Sequence, residues 1–282
     1  VYLNLQYIRR QLSRTPARTI SLIPASLWLF ENYNLIYREI KRLQGAGNLR
    51  QLSRLPTLNI SSNRSYPRIY LIAHKIISGT NGHIQEEQLV SFIRDYQQSE
   101  ELTSKELWAL PHVLSICLLE RIVDEAIRLI NNIRIRMRAD DSAERVAAAL
   151  RRSAEETATI LQQENFWNEC SDETFLAHFI YRLRNLSVDE SDIVRWLASF
   201  SGASVDDYQR QLYNLITQDR QREALAESTV SALIISLKEV GEMNWEQNYR
   251  KISLSEAILE LDPAGVYENV DTNTRARYRH QI

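Results

Sequence analysis

Glycine, proline and cysteine are scarce in this 282-residue sequence, which contains 7, 6 and 2 of them respectively. So few glycines and prolines leave little material for tight turns, which disfavours a β-sandwich or an α/β sheet with glycine-rich loops. The two cysteines, Cys117 and Cys170, are too few for a secreted disulfide framework. Both lie in helical patterns, where we expect reduced, buried thiols.

Excess charge of one sign and long apolar runs are also absent. The formal net charge is -2, whereas proteins that bind nucleic acid usually carry an excess of positive charge, so we expect no nucleic-acid partner. No apolar run approaches the roughly 18 residues that span a bilayer. The sequence has no initiator methionine, and both of its ends fall inside helix-like patterns. We therefore expect a segment cut from a longer protein.

The common catalytic motifs are missing as well. The five histidines form no HExxH motif and no His/Cys pair at metal-ligand spacing. No glycine-rich nucleotide loop and no GxSxG motif occurs. We therefore expect no catalytic residue, metal or cofactor in this segment. A glycosidase-like pair of carboxylates stays an alternative, because such a pair is assembled in space at roughly 5 to 9.5 Å.

Helical signals fill most of the sequence. In three capping boxes, a Ser or Thr precedes a Glu by three residues and opens an apolar pattern of helical period. These boxes are Thr103/Glu106, Ser187/Glu190 and Ser253/Glu256. Residues 50–66 form the one long irregular stretch, and no strand is convincing. We predict an all-α fold, a compact bundle of about a dozen antiparallel-paired helices.

A change in composition suggests an internal boundary. Near Ala139 and Asp140, a basic stretch gives way to a helix rich in Ala and Glu. We predict an N-terminal helical subdomain at 1–139 and a C-terminal one at 140–282, packed as one unit and continuing into a missing downstream part. The basic stretch, Arg134, Arg136 and Arg138, is interpreted as a solvated helix end. The alternative is that it binds phosphate or an anionic membrane surface.

Several aromatic residues are candidates for either packing or ligand contact. Trp28, Trp108 and Trp196 sit at the spacing of a helix's apolar stripe, so we interpret them as core residues. Near the end of the sequence, Pro263 should stop a helix, with Asp262 capping the next element. A rigid corner is the favoured interpretation here. The alternative is that Asp262 or Tyr267 belongs to a ligand site.

Three stretches in register resemble one family, the membrane-bound cyclic β-1,2-glucan synthases. The first is PASLWLFENY at 24–33, where Leu27 replaces the family's usual Glu. The second comprises SYPRIY at 65–70, FIRDYQ at 92–97 and LTSKELWALP at 102–111. The third is DPAGVY at 262–267, followed by Asp271 and by RYRH at 277–280.

The resemblance implies a place within a much larger protein. Members of the family have a helical N-terminal region, followed by membrane spans, a UDP-glucose-dependent glucosyltransferase domain and a phosphorylase-like C-terminal part. This chain resembles the helical region alone, which implies the cytoplasmic face of the bacterial inner membrane. The implied partners are the downstream domains of the same polypeptide, with glucan as a candidate ligand. No catalytic residue of the family can be carried over.

Three functions emerge as hypotheses: a non-catalytic accessory or regulatory domain of such a synthase, an α-helical carbohydrate-active or glucan-binding domain, and a helical protein–protein adaptor. A groove lined by Trp with two facing carboxylates would favour the second. A large exposed apolar patch without a pocket would favour the third, or a docking face for the missing domains. The candidate structural or ligand-contact residues are Trp28, Asn32, Tyr33, Arg68, Trp108, Asp262 and Tyr267.

Overall fold

The structure, a computed structural model, describes residues 2–14, 23–45, 52, 54–61, 64–188, 191–263 and 265–279. Most of these residues are helical, and the expected all-α class is confirmed. Among the described residues, no helix combines the length and the apolar character needed to cross a membrane.

The described elements follow one order along the chain. They are α1 (Tyr2–Arg14), α2 (Pro24–Glu31), α3 (Tyr33–Gly45), β1 (Thr57–Ser61), β2 (Arg64–Pro67), α4 (Arg68–Gly79), α5 (Glu86–Gln97), α6 (Ser104–Leu150), α7 (Ala154–Leu161), α8 (Glu164–Cys170), α9 (Glu173–Asn185), α10 (Ser191–Ser201), α11 (Val205–Glu242), α12 (Trp245–Ile252), α13 (Leu254–Leu259), a 3-10 turn (Tyr267–Asn269) and α14 (Thr272–Arg279).

The expectation that the chain has no strand was wrong. Strands β1 and β2 form an antiparallel hairpin inside the stretch predicted to be irregular, with Leu58 opposite Tyr66 and Thr57 opposite Pro67. The β1 sequence, TLNIS, alternates polar and apolar residues, which is the period of a strand. Its Asn and Ser residues are also common in loops, and that composition concealed the alternation.

Contacts divide the chain into two units, each assembled from segments that are far apart in sequence. The first unit comprises residues 1–2, 32–123 and 229–282, and the second comprises 3–31 and 124–228. The boundary proposed between residues 139 and 140 falls inside α6, which runs unbroken through both positions. A boundary drawn along the sequence therefore differs from the division that the contacts give.

The first unit has an aliphatic core and a turn held closely against α11. Leu110, Leu114 and Ile69 are almost completely buried. At the turn after α4, Gly82 adopts a positive φ of 84°, and a Cβ there would lie 2.7 Å from a methyl carbon of Leu233. Only glycine combines that backbone conformation with so close an approach.

The second unit has a core rich in aromatic rings. Phe175 and Phe179 are fully buried among aliphatic residues from α6, α9 and α10. Phe166 is also buried and meets Phe179 edge to face, with ring centroids 5.4 Å apart. Beside it, Trp167 stacks on Trp196 at 4.8 Å. Phe166 and Trp167 thus pack within a junction between helices.

Two of the three predicted capping boxes are within the described residues, and their caps are formed. The hydroxyl of Thr103 accepts from the amide of Glu106 at 3.3 Å, and the Glu106 carboxylate accepts from the Thr103 amide at 2.9 Å. The hydroxyl of Ser253 accepts from the amide of Glu256 at 3.3 Å. The third box includes Glu190, which lies outside the described residues.

Candidate ligand-binding site

A buried ion pair fixes the start of α6. Arg68 donates from Nε to Oε1 of Glu106 at 2.9 Å and from Nη2 to Oε2 at 2.7 Å. Glu106 is fully buried and Arg68 is 8% exposed. Burial by itself would raise the pKa of Glu106, but hydrogen bonds from Arg68 and Thr103 outweigh it and hold that pKa below its ordinary value.

The same network joins the pieces of the second sequence motif. Arg68 also donates to the Glu100 carboxylate and to the carbonyl oxygen of Glu101. Tyr96 donates its hydroxyl to Glu100 at 3.1 Å. Arg68 comes from SYPRIY, Tyr96 from FIRDYQ and Glu106 from LTSKELWALP. These three stretches therefore converge on one buried cluster of charges, which accounts for Arg68 as a structural residue.

The first turns of α6 present a different face to a cavity of about 330 Å³. Lys105, Trp108, Ala109 and His112 line it, and their spacing of three and four residues places them on one side of the helix. Leu52, Arg54 and Leu55, from the segment before β1, form the opposite lining. Because the pair between Glu106 and Arg68 fixes the buried side of this helix, it also fixes the orientation of the side that lines the cavity.

Trp108 lines this cavity instead of being buried in the core as its spacing suggested. Its side chain is 43% exposed, and its ring stacks on that of Tyr249 with centroids 4.5 Å apart and planes 20° apart. Tyr249 is itself only 1% exposed. Sequence spacing identified the helix correctly but could not show that a second aromatic residue, from α12, occupies the core position beneath Trp108.

The cavity is basic. Arg54 and Lys105 are exposed, and neither forms an ion pair within the part of the chain that the structure describes. Burial, and then the charge of Arg42, hold the pKa of His112 below its usual range. The nearby carboxylate of Glu39 is bound by Arg42 through two nitrogens, at 2.9 and 2.6 Å.

The described residues that line the cavity do not include the carboxyl pair of a glycosidase. None of the described residues that line it is Asp or Glu. Hydrolysis of a glycosidic bond generally uses two carboxyl groups placed on either side of that bond. An exposed indole beside cations instead offers a ring-stacking surface and positive charge to a ligand.

The other candidate residues are placed elsewhere. Trp28 is half-buried on α2, the Asn32 carbonyl accepts from the Ile36 amide at 3.2 Å, and Tyr33 stacks on Tyr37 with ring centroids 6.1 Å apart. None of the three is among the described residues that line the Trp108 cavity.

Residues 262–267 form a tight corner. The Asp262 carboxylate accepts from the amides of Val266 at 2.9 Å and Tyr267 at 3.1 Å. These amides are farther along the chain than a standard cap would reach. The amide of Gly265, a position that a standard cap would bond, donates to the Asp262 carbonyl instead. Gly265 has a φ of 60°. Tyr267 is buried and donates to Glu256 at 2.8 Å, whereas Val266 is 57% exposed.

A second polar cluster, in the second unit, was not anticipated. Arg136, expected at a solvated helix end, is 8% exposed and pairs with Asp219 at 2.7 Å and Glu223 at 2.9 Å. The helix continues past it to Leu150. The sequence offered one signal, acidic residues four apart on α11, but their partner lies 83 residues away from Asp219.

This cluster encloses a neutral histidine beside a cavity of about 170 Å³. Arg136 has only donors, so the 3.1 Å contact from Nη1 requires Nδ1 of His178 to accept, and Nε2 donates to Asp140 at 3.1 Å. Burial, and then the charge of Arg136, lower the pKa of His178, while burial raises the pKa of Glu223. Asp219 and Glu223 both lie on α11 and both pair with Arg136. A catalytic pair of a glycosidase instead places its two carboxyl groups on opposite sides of the bond to be cleaved.

Comparison with known proteins identifies a relative. No protein-family model matches the chain. Over 262 residues, the chain is 26% identical to the cyclic β-(1,2)-glucan synthase NdvB of Rhizobium meliloti (strain 1021). The chain is related to a segment of that synthase. The match covers 93% of this chain and 9% of the synthase's length, and it confirms the resemblance found in the sequence motifs.

Proposed function

We propose that the chain is a non-catalytic helical accessory segment of a glycosyltransferase related to cyclic β-(1,2)-glucan synthases. The observation that carries this proposal is the make-up of the Trp108 cavity, in which a half-exposed indole and basic side chains meet and no described lining residue is acidic. Such a cavity holds a ligand reversibly, without the carboxyl pair that sugar hydrolysis needs. The segment regulates or organises a transferase domain carried by another part of the polypeptide.

The extent of the sequence match supports this division of labour. The match takes in 93% of the chain but 9% of the related synthase. The transferase chemistry would then lie in the much larger remainder, and this segment would need no cofactor of its own. In this arrangement it lies on the cytoplasmic face of the inner membrane, beside the membrane-bound domain.

An exposed apolar face supports contact with that remainder. On and just after α13, Leu254, Ile258 and Leu261 keep helical spacing and are 42%, 62% and 78% exposed, and Val266 beyond the corner is 57% exposed. Contiguous exposed apolar side chains commonly mark interaction surfaces. We assign this face to other domains of the same polypeptide, because the related synthase has over nine-tenths of its length outside the matched region.

Paired serine substitutions test the accessory role. In the longer protein that the proposal implies, Ile258→Ser with Leu261→Ser should lower glucan output several-fold, because domain contact is lost. The stability of the segment should change by no more than about 0.5 kcal/mol, since both side chains are exposed. Leu225→Ser, at a 65% exposed position on α11, is the matched control. Unchanged output in the paired variant would argue against docking and in favour of a separate adaptor.

A further inference from the structure

The chemistry of the residues that line the Trp108 cavity indicates which class of ligand the cavity binds. This inference rests on the binding role proposed above. The cavity's volume of about 330 Å³ falls at the lower end of small-molecule sites, which suits a ligand the size of a monosaccharide or a mononucleotide. The lining divides into an aromatic and aliphatic part, with Trp108, Leu55 and Ala109, and a cationic part, with Arg54 and Lys105.

The aromatic part is rigid. Trp108 is backed by the buried ring of Tyr249 at 4.5 Å, so its orientation is fixed before a ligand arrives. The turn that carries it is capped by Thr103 and anchored by the pair between Glu106 and Arg68. A preorganised indole loses little entropy on binding, and it stacks well on flat rings and on the apolar faces of sugars.

The cationic part has no counter-charge among the described residues that line the cavity. Arg54 and Lys105 form no ion pair within the described residues, and neither Asp nor Glu occurs among the described residues of the lining. The carboxylate of Glu39, whose charge acts on His112, is already bound by Arg42 through two nitrogens. Two uncompensated cations that converge on one cavity favour an anionic group, and a phosphate can accept from both.

We infer that this cavity binds a small organic phosphate, whose ring stacks on Trp108 and whose phosphate is held by Arg54 and Lys105. A nucleoside monophosphate and a sugar phosphate share this chemistry. Bound away from any catalytic group, such a ligand acts as an effector that reports on nucleotide or sugar-phosphate supply.

Calorimetric titration of the purified 282-residue chain tests this inference. The ligands are AMP and adenosine, glucose 6-phosphate and glucose, and inorganic phosphate. At least one organic phosphate should bind about tenfold or more tightly than both its uncharged parent and inorganic phosphate, and its affinity should fall as salt is added. The phosphate that binds more tightly identifies the preferred ring.

Variants locate the site. Arg54→Gln with Lys105→Gln should weaken the organic phosphate about tenfold or more, and Trp108→Leu should weaken it while leaving inorganic phosphate unaffected. Lys75→Gln, at an exposed lysine of α4 outside the cavity, should change nothing. Equal melting temperatures of the wild type, the double variant and the Lys75 control show that the exposed substitutions leave the fold intact.

Three results would overturn the inference: no binding of either organic phosphate, equal binding of the uncharged parents or of inorganic phosphate, or full binding by the double variant. None of these results concerns turnover. The proposed non-catalytic role fails separately, through the appearance of a reaction product, so the two failures are distinguishable.

Discussion

At the scale of single residues, the Arg68–Glu106 pair gives the clearest energetic prediction. Both side chains are buried, and removing one partner of a buried pair leaves the other charge uncompensated. Glu106→Ala should therefore destabilise the chain by about 3 kcal/mol, the lower end of the usual range, because Arg68 keeps its contact with Glu100. Urea denaturation of the purified chain measures this loss.

The neighbouring Glu101 provides the control. Arg68 contacts only the backbone carbonyl of Glu101, and its exposed carboxylate can be removed without loss of that bond. Glu101→Ala should change stability by no more than about 0.5 kcal/mol. If Glu106→Ala costs no more than Glu101→Ala, the buried pair does not anchor α6 as described.

His178 gives a prediction of pH dependence with a definite sign. Because burial and the Arg136 charge lower its pKa in the folded chain, the unfolded chain takes up this proton at a higher pH than the folded chain does. The stability contributed by neutral His178 is thus present above about pH 6.5 and is lost as the pH falls below that value. Denaturation midpoints measured between pH 7.5 and 5.5 should decrease towards acid.

His178→Gln isolates this contribution. The amide of Gln can accept from Arg136 and donate to Asp140, but it does not titrate. His112 also has a lowered pKa and contributes with the same sign, so the profile of His178→Gln should flatten in part, and that of the His178→Gln/His112→Gln double variant further. Identical slopes in the wild type and in His178→Gln would contradict the assignment.

At the scale of elements, local signals predicted helix starts better than helix lengths. The caps at Thr103 and Ser253 formed as expected, because a side-chain cap depends on residues only three apart. The change in composition near Ala139 and Asp140 suggested a boundary, yet α6 runs unbroken from Ser104 to Leu150. Helix length depends on tertiary packing, which a local pattern does not contain.

The corner at Asp262 yields a prediction about local stability. Asp262→Ala removes the acceptor of two backbone amides, which should cost on the order of 1 kcal/mol. Hydrogen exchange should accelerate at Val266 and Tyr267 and through the residues after them, since the corner sets the start of the 3-10 turn. Mass-spectrometric exchange on the purified chain resolves this region.

Glu260→Ala is the control for this change, because that exposed carboxylate forms none of the corner's hydrogen bonds. It should leave exchange after residue 262 unchanged. If Asp262→Ala also leaves stability and exchange unchanged while glucan output of the longer protein collapses, Asp262 belongs to a ligand site and the corner interpretation is wrong.

At the scale of the whole molecule, the sequence patterns predicted the fold class, and the sequence motifs indicated the relative that was found. They predicted only part of the candidate site. Trp108 was singled out, yet its partner Tyr249 lies 141 positions later, and no local pattern links the two. Arg54 lies in the stretch that was predicted to be irregular. Arg136 was placed on the surface, because its counter-ions on α11 are invisible to a local pattern of charge.

The proposal that this segment serves a glucan synthase without catalysing its reaction is tested most directly by a product assay. The purified, folded chain is incubated with UDP-glucose and, separately, with β-1,2-glucan, and the products are monitored by mass spectrometry. We predict that no oligosaccharide is formed from UDP-glucose and that the glucan is not shortened. New oligosaccharide from either incubation, absent from a heat-denatured sample of the same preparation, would contradict the non-catalytic role.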